Sequence, residues 1–142
     1  MAYEALDFYD IDSLLSDEER MVRDMVRDWV DEKVLPNIEE ACRDGVFPDE
    51  WRVDLGEMGI LGAPLNGYGC PGLSYIAYGL ICQELERGDS GVRSFASVQG
   101  SLAMYPIWDF GSEEQKNHYL PRMTTGEWIG CLLYTSPSPR DS

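Results

Sequence analysis

Basic residues and histidine are scarce in this 142-residue chain. Eleven Lys and Arg stand against 26 Asp and Glu, which gives a formal net charge of −15 at pH 7. So large an acidic excess disfavours nucleic acid and anionic membranes as main partners. Long apolar runs are also missing, and because a transmembrane helix needs roughly 18 apolar residues, the sequence predicts no membrane span. The hydrophobic content of 44% nevertheless suffices for a packed globular core.

The chain also lacks the cysteine and histidine patterns of metal sites. Its four cysteines, Cys42, Cys70, Cys82 and Cys131, form no Cys-x-x-Cys pair and have no histidine at ligand spacing. We expect them to be reduced thiols rather than two disulfides. The acidic N-terminus, residues 1–7, has neither the basic and apolar regions of a signal peptide nor the arginines of a transit peptide. Together these features predict a cytoplasmic protein.

Helical signals recur along the chain, whereas strand signals are weak. Ser16 followed by Glu19 forms a capping box, and apolar residues then recur at helical spacing. Ser112 and Gln115 form a second capping box before a short helix. Because glycine- and proline-rich stretches separate these segments, the sequence predicts an all-α bundle of about six helices. The helices are expected over residues 16–35, with a kinked continuation past Pro36 towards residue 42, and over 48–58, 74–87, 92–109 and 112–121.

The last twelve residues break this pattern. Residues 131–142 show no periodicity, and three serines and two prolines crowd a short span. A DNA string that would encode residues 131–141 resembles the transposase end and adapter used in sequencing libraries. We therefore expect a leader over residues 1–15, a helical domain over 16–130 and a non-native, unstructured tail over 131–142. A natural flexible tail is the alternative.

One stretch offers a candidate binding site for an anion. Arg93 and Ser94 open an otherwise small and apolar helix, and a guanidinium beside exposed helix-start amides can bind a carboxylate. Two plainer interpretations stay open: Arg93 is an ordinary surface arginine, or it pairs locally with Glu86 or Asp89. The only histidine, His118, lies in a polar stretch and is expected at the surface rather than in a catalytic role.

A series of short motifs runs along residues 56–131. They are GYGC at 67–70, AYGL at 77–80, ELER at 84–87, DSG at 89–91, RS at 93–94, SVQ at 97–99, GSEEQ at 111–115 and YLP at 119–121. These motifs resemble the N-terminal helical domain of the acyl-CoA dehydrogenase family, and residues 7–55 are compatible with it. The Arg-Ser pair after Asp-Ser-Gly resembles the narrower group that acts on glutaryl-CoA. The family's next motif begins Cys-Phe-Gly-Leu, whereas Cys131 is followed here by Leu-Leu-Tyr.

The resemblance implies an FAD-dependent oxidoreductase of which this chain is an N-terminal fragment. It implies α,β-dehydrogenation of glutaryl-CoA, with decarboxylation to crotonyl-CoA, as in lysine and tryptophan degradation. Arg93 would hold the distal carboxylate of this acyl-CoA substrate and Ser94 would make a neighbouring contact, with Ser97 and Glu86 as weaker candidates. The catalytic glutamate and the main flavin-binding segments would lie beyond this chain, so the fragment is expected to be inactive and to hold no catalytic, flavin-binding or metal-binding residue. An electron-transfer flavoprotein would accept the electrons, and the full-length protein would be a homotetramer.

Two alternatives remain at this point. The chain could come from a short- or medium-chain acyl-CoA dehydrogenase, although a neutral acyl chain gives Arg93 nothing to bind. It could instead be a stand-alone helical interaction module with an apolar groove for a partner protein. A monodisperse, cooperatively melting monomer would favour the module, whereas poor solubility would favour a truncated domain.

Overall fold

The computed structural model describes residues 7–131, and most of these are helical. The α-helices are α1 (Asp17–Trp29), α2 (Ile38–Asp44), α3 (Asp49–Glu57), α4 (Tyr75–Gly88), α5 (Ser90–Ser97), α6 (Tyr105–Phe110) and α7 (Glu113–Thr124). A π-helical segment, Val30–Val34, extends α1, and a second one, Val98–Met104, joins α5 to α6. Apart from a short 3-10 helix near the N-terminus, the described residues therefore form six helical runs, and the prediction of an all-α helical bundle of about six helices is confirmed.

The only strands among the described residues are two residues long. β1 (Asn66–Gly67) pairs antiparallel with β2 (Cys70–Pro71), with Asn66 opposite Pro71 and Gly67 opposite Cys70. Tyr68 and Gly69 form the turn with φ values of 55° and 89°, the left-handed region that glycine adopts without steric cost. This small hairpin lies within the glycine-rich stretch that separates α3 from α4.

Serine side chains cap three of the helices, and the spacing predicted two of these caps, those of Ser16 and Ser112. Ser16 accepts from the backbone N–H of Glu19, and the Glu19 carboxylate accepts from the backbone N–H of Ser16. Ser112 and Gln115 make the same reciprocal pair at α7. Ser74 caps α4 by accepting from the N–H of Ala77. Each cap satisfies backbone donors that the helix itself cannot pair.

Helix boundaries differ from the expected ones at three places. The first helical run ends at Val34, and a turn containing Pro36 separates it from α2 rather than kinking one continuous helix. The run expected to start at residue 92 begins at Ser90 instead. The last helix continues through Pro121 to Thr124, because burial of its final turn outweighs the hydrogen bond that proline removes.

The chain divides into two compact units. Among the described residues, the first unit holds 7–47 and 73–93, and the second holds 48–72 and 94–131. Within the first unit, α1 packs against α4, and its buried apolar residues are Val26, Trp29, Val30, Val34, Ala77, Ile81, Leu85 and Val92. Within the second unit, α6 packs against α7, and its buried apolar residues are Trp51, Leu55, Ile60, Leu61, Ala63, Leu65, Ala96, Met104, Leu120 and Met123.

Several expectations concern residues at the ends of the chain. Of the leader, residues 7–15 are described, and a short 3-10 helix, Ile11–Leu14, follows the Asp7 carboxylate that accepts from the N–H of Asp12. Of the expected tail, only Cys131 is described, so its lack of structure stays a prediction. All four cysteines are free thiols, in agreement with the expected reduced state. Within residues 7–131, no helix is both long and apolar enough to cross a bilayer.

Candidate functional site

Arg93 is the fourth residue of α5 and forms a local ion pair. Its Nε donates to Oε2 of Glu86 at 2.6 Å, and its side chain is 35% exposed. Glu86 belongs to the last turn of α4, so the pair joins the end of one helix to the start of the next. Of the interpretations that the sequence left open, local pairing with Glu86 is therefore the one that the structure contains.

The Glu86 carboxylate has a second partner. Its other oxygen, Oε1, accepts from the Ser90 hydroxyl at 2.6 Å. Hydrogen bonds from Arg93 and then from Ser90 lower the pKa of Glu86, and the bond to Glu86 raises the pKa of Arg93. Both groups are thus charged at neutral pH, and a permanently charged guanidinium is fixed at the corner between α4 and α5.

The exposed amides expected at the start of this helix are already used. Arg93 and Ser94 do not open α5, which begins three residues earlier. Asp89 precedes it, and Oδ1 of Asp89 accepts from the N–H groups of Gly91 and Val92 at 2.7 and 3.1 Å. Because an aspartate at this position satisfies the first amides and the helix dipole itself, anion binding here must rest on side chains.

The remaining predicted residues lie further along the chain. Ser94 follows Arg93 in α5 and is half-buried, and its carbonyl accepts from the Ser97 hydroxyl at 3.2 Å. The structure therefore brings together Glu86, Ser90 and Arg93, while Ser94 and Ser97 are joined by a bond within their own helix. His118 is exposed at the surface, as predicted, and its ring meets the Trp128 ring edge-on with centroids 5.4 Å apart.

Sequence reasoning missed a buried carboxylate in the first unit. Glu84 is 1% exposed, and Arg27 binds it through two bonds of 2.8 and 3.2 Å. Arg87 donates to it through Nε at 2.9 Å and also pairs with Asp31. Burial raises the pKa of Glu84, but the hydrogen bonds and charges of the two arginines lower it by more, so its pKa lies below the usual value. The Arg87 contact has helical spacing, but nothing in the sequence pattern pointed to Arg27.

A buried amide was also missed, in the second unit. Gln99 is 1% exposed, and its Nε2 donates to the carbonyls of Met123 and Trp128 at 2.9 and 2.8 Å. Its Oε1 accepts from the N–H of Gly130 at 2.8 Å. One side chain therefore bonds to three backbone groups, one in the last turn of α7 and two in the segment after it. The resemblance contained Gln99 only as part of a motif and gave it no role.

The second unit also contains an open apolar cavity of about 510 Å³. This volume lies within the usual range for small-molecule sites. Among the described residues its lining includes no charged side chain and consists of Leu102, Ala103, Pro106, Ile107, Tyr119, Met123, Trp128, Ile129, Gly130 and Cys131. In the described part of the chain, no group of three or more His, Cys, Asp or Glu residues could hold a metal ion.

Comparison with known proteins identifies the family of this chain. The model of the acyl-CoA dehydrogenase N-terminal domain matches residues 16–127. The chain belongs to the acyl-CoA dehydrogenase family. Among curated members, a probable acyl-CoA dehydrogenase of Bacillus subtilis (strain 168) is 34% identical over 127 residues, covering 87% of this chain and 33% of that protein. The mitochondrial short-chain specific acyl-CoA dehydrogenase of Rattus norvegicus is 31% identical, covering 87% of this chain and 30% of that protein.

Solved structures of the family include nearer neighbours. A glutaryl-CoA dehydrogenase from Mycobacterium smegmatis in complex with FADH2 has a TM-score of 0.85 and 48% identity, covering 90% of this chain and 33% of that one. A second structure of glutaryl-CoA dehydrogenase from that organism has a TM-score of 0.80 and 55% identity, covering 84% of this chain and 31% of that one. The chain thus spans about a third of the length of the relatives that it matches.

Proposed function

We propose that this chain is the N-terminal part of an FAD-dependent acyl-CoA dehydrogenase that oxidises glutaryl-CoA. In this proposal Arg93 binds the distal carboxylate of the substrate, Ser94 makes a neighbouring contact, and Glu86 orients the guanidinium. The observation that carries it is the Arg93–Glu86 ion pair of 2.6 Å at the corner between α4 and α5.

The chemistry of the pair favours an anionic substrate over a neutral one. A guanidinium carries five N–H donors, and in Arg93 the Nε donor contacts Glu86. Arginine binds carboxylates more specifically than lysine does, because its planar donors match the two carboxylate oxygens. A neutral acyl chain would gain nothing from a charge at this position and would have to desolvate it. The identity of 48–55% to the mycobacterial glutaryl-CoA dehydrogenases supports the same substrate class.

No residue of this chain is assigned to FAD. The 510 Å³ cavity of the second unit is too apolar to hold a dinucleotide by itself, since its lining residues within 7–131 offer no cation for the diphosphate. The resemblance places the main flavin-binding segments and the catalytic glutamate in parts of the family that this chain does not span. The described residues would therefore recognise substrate, and the oxidation would require the rest of the protein.

Further proposals follow from the family alone. An electron-transfer flavoprotein would be the electron acceptor, and the full-length protein would be a homotetramer in the cytoplasm. Decarboxylation to crotonyl-CoA would follow oxidation.

Kinetics of a full-length enzyme that carries residues 1–130 would test the role of Arg93. We expect Arg93→Gln to lower kcat/KM for glutaryl-CoA by at least about tenfold, as loss of a charge-assisted contact predicts. The same variant should leave butyryl-CoA oxidation nearly unchanged. Arg93→Lys should recover only part of the loss, because an ammonium lacks the planar fork. Arg43→Gln, at an exposed arginine near the end of α2, is the matched control and should affect neither substrate.

Equal losses on both substrates would contradict the proposal, since Arg93 would then serve folding or general positioning. A preference for butyryl-CoA in the unmodified enzyme would favour the alternative of a short- or medium-chain acyl-CoA dehydrogenase. Arg93 disfavours that alternative, because a neutral acyl chain has no carboxylate for it to bind.

A further inference from the structure

We infer that Gln99 and Gly130 are positioning residues for the oxidation, because together they hold segment 128–130 at a fixed distance from the helical run 90–110, which contains Ser94. The inference rests on the proposed function, since it takes Ser94 as a substrate contact. It concerns the alignment of the substrate with the rest of the enzyme rather than the recognition of a carboxylate, so it applies to glutaryl-CoA and butyryl-CoA alike. The sequence motifs gave neither residue a role.

The helical run 90–110 connects Ser94 to Gln99. It consists of α5, the π-helical segment Val98–Met104 and α6, which follow one another without a break. Ser94 and Gln99 are five positions apart on this run, and both belong to the second unit. Because both lie on one hydrogen-bonded run, a group that is held by Gln99 is also held at a set distance from Ser94. π-Helical turns of this kind occur frequently at functional sites.

The Gln99 side chain joins this run to segment 128–130. The model of the family's N-terminal domain ends just before the segment, so the segment follows that domain. Gln99 donates to the Trp128 carbonyl and accepts from the Gly130 N–H, both at 2.8 Å. The Trp128 N–H also donates to the Arg122 carbonyl, but that bond ties the segment to α7 and not to the run. The amide is thus a polar link between the run and the segment.

Gly130 determines how closely the segment approaches the run. A Cβ added to Gly130 would collide with the Cβ of Ala103, and it would lie 2.9 Å from Cε of Met123. The Met123 side chain can move aside, but the Ala103 methyl group cannot, so relief requires a shift of the segment or of the run. Ala103 and Gly130 both line the apolar cavity, and such a shift would therefore change its shape as well.

This spacing affects catalysis because the chemistry depends on distance. In the proposed function the substrate contacts Ser94, whereas the catalytic glutamate and the main flavin-binding segments belong to parts of the family that this chain does not span. Those parts would follow segment 128–130 in the full-length protein, so the segment sets where they begin relative to the substrate. Reacting atoms must lie about 3–3.5 Å apart, and a misplacement of about 1 Å can cost on the order of a hundredfold in rate.

The first test is Gly130→Ala in the full-length enzyme that carries residues 1–130, with glutaryl-CoA and butyryl-CoA as substrates. We expect the rate of flavin reduction at saturating substrate, counted per bound FAD, to fall about tenfold for both substrates, with KM nearly unchanged. Ala103→Gly removes the methyl group that the new Cβ meets, so the double variant should restore most of the rate. Gly79→Ala is the matched control, because a Cβ on this exposed residue of α4 has no other atom within 4 Å.

The second test is Gln99→Leu, which removes the amide. Because the buried amide also supports folding, FAD content and thermal denaturation are measured beside the rate. The two kinds of readout separate the roles: FAD content and denaturation report folding, whereas flavin reduction per bound FAD reports positioning. We expect that rate to fall about tenfold for both substrates in the enzyme that retains FAD. Gln83→Leu, at an exposed glutamine of α4, is the control.

An unchanged rate per bound FAD in Gly130→Ala, or a loss that Ala103→Gly does not restore, would overturn the inference. A Gln99→Leu enzyme with less FAD but an unchanged rate per bound FAD would also overturn it, since Gln99 would then serve folding alone. If that variant holds no FAD, the Gly130→Ala pair decides. The proposed function fails separately: if Arg93→Gln slows both substrates equally, the glutaryl-CoA assignment is wrong, and Gly130→Ala still decides this inference.

Discussion

Among residues 7–131, each unit contains one fully buried carboxylate or amide side chain, but the two differ in charge and in what they bind. In the first unit, the Glu84 carboxylate is surrounded by the side chains of Arg27 and Arg87. In the second unit, the Gln99 amide bonds to backbone groups, one at the end of α7 and two in the segment after it. The carboxylate joins helices whose own backbone bonds are complete, whereas the amide replaces backbone bonds that an irregular segment cannot make for itself.

The glycines of the second unit show why that segment needs an amide. Gly126 has a φ of 74°, a conformation that other residues rarely adopt. A side chain on Gly56, in α3, would collide with the carbonyl of Thr125. The chain after α7 is thus an irregular backbone packed closely against α3, and such a backbone must find hydrogen-bond partners from side chains. The two units therefore differ in how the buried polar side chain stabilises them. In the first unit it forms ion pairs, and in the second it hydrogen-bonds to backbone groups, two of them in the irregular segment after α7.

The largest expected effect comes from removing the buried amide. Gln99→Leu keeps a similar volume but removes the amide partner of the Trp128 carbonyl and of the Gly130 N–H, while the Met123 carbonyl keeps its bond from the Gly126 N–H. We expect the free energy of unfolding to fall by about 3 kcal/mol, since each buried group left unsatisfied costs about 1–3 kcal/mol. Chemical denaturation of the chain would measure it, with Gln83→Leu at an exposed position of α4 as the control. A loss below that of an ordinary surface substitution would show that water replaces the amide.

A somewhat smaller loss is expected from neutralising the buried carboxylate. Glu84→Gln keeps the shape but weakens the bonds to Arg27 and Arg87, and both arginines are more than a third exposed and so remain hydrated. We therefore expect a loss of about 2 kcal/mol, less than when both partners of an ion pair are buried. Thermal denaturation would show it, with Glu39→Gln on α2 as an exposed control. If Glu84→Gln is neutral, the pair contributes specificity rather than stability.

A fall in pH should destabilise the first unit more than the second. The pKa of Glu84 is lowered below its ordinary value of 4.5 in the folded chain. Its contribution to stability is therefore complete above the unfolded pKa and is lost as the pH falls through the lower folded pKa. Amide hydrogen exchange should show protection in α1 and α4 decreasing below about pH 4.5, and Glu84→Gln should flatten that dependence. Gln99 does not titrate, so an equal acid sensitivity at Gly130 would contradict the comparison.

How far the sequence predicts these features depends on how local they are. The Ser16 and Ser112 caps involve residues three apart, and both were predicted from spacing alone. The Arg93–Glu86 pair spans seven residues, and the sequence left it as one of several interpretations. Arg27 and Glu84 are 57 residues apart, and no periodicity in either helix relates them. Gln99 was not predictable either, because an amide in an apolar helix gives no signal until the backbone that it bonds is placed.

Pro121 in the last helix also shows that contacts between residues distant in sequence are hard to predict, here because a local signal gave the wrong helix end. A proline normally ends a helix, and Pro121 predicted an end that the structure does not have. Leu120 and Met123 are buried on either side of it, and the Thr124 hydroxyl donates to the Leu61 carbonyl at 2.9 Å. Contacts with residues distant in sequence therefore hold the final turn of α7 in place, and local rules could not include them.

The smallest effects are expected at the two capping boxes, which offer a matched comparison between the units. Ser16→Ala and Ser112→Ala each remove an acceptor for one helix-start N–H, and each should lower the free energy of unfolding by about 1 kcal/mol. We expect the greater loss at Ser16, because Oε1 of Glu19 also accepts from the Ser74 hydroxyl at 2.7 Å. A disturbed Glu19 would therefore affect the caps of both α1 and α4, whereas Gln115 serves α7.

Denaturation curves for the two alanine variants and for Ser16→Thr and Ser112→Thr would measure this difference. The threonine variants keep the hydroxyl oxygen and should retain most of the stability, since threonine is also a favourable cap. The carboxylate also gives the Ser16 box a pH dependence that the Ser112 box lacks. Hydrogen bonds from the Ser16 N–H and then from Ser74 lower the pKa of Glu19, so its contribution disappears on acidification below the ordinary carboxyl range. If Ser112→Ala costs as much as Ser16→Ala at neutral pH and the two respond alike to acid, then Glu19 does not link the two caps.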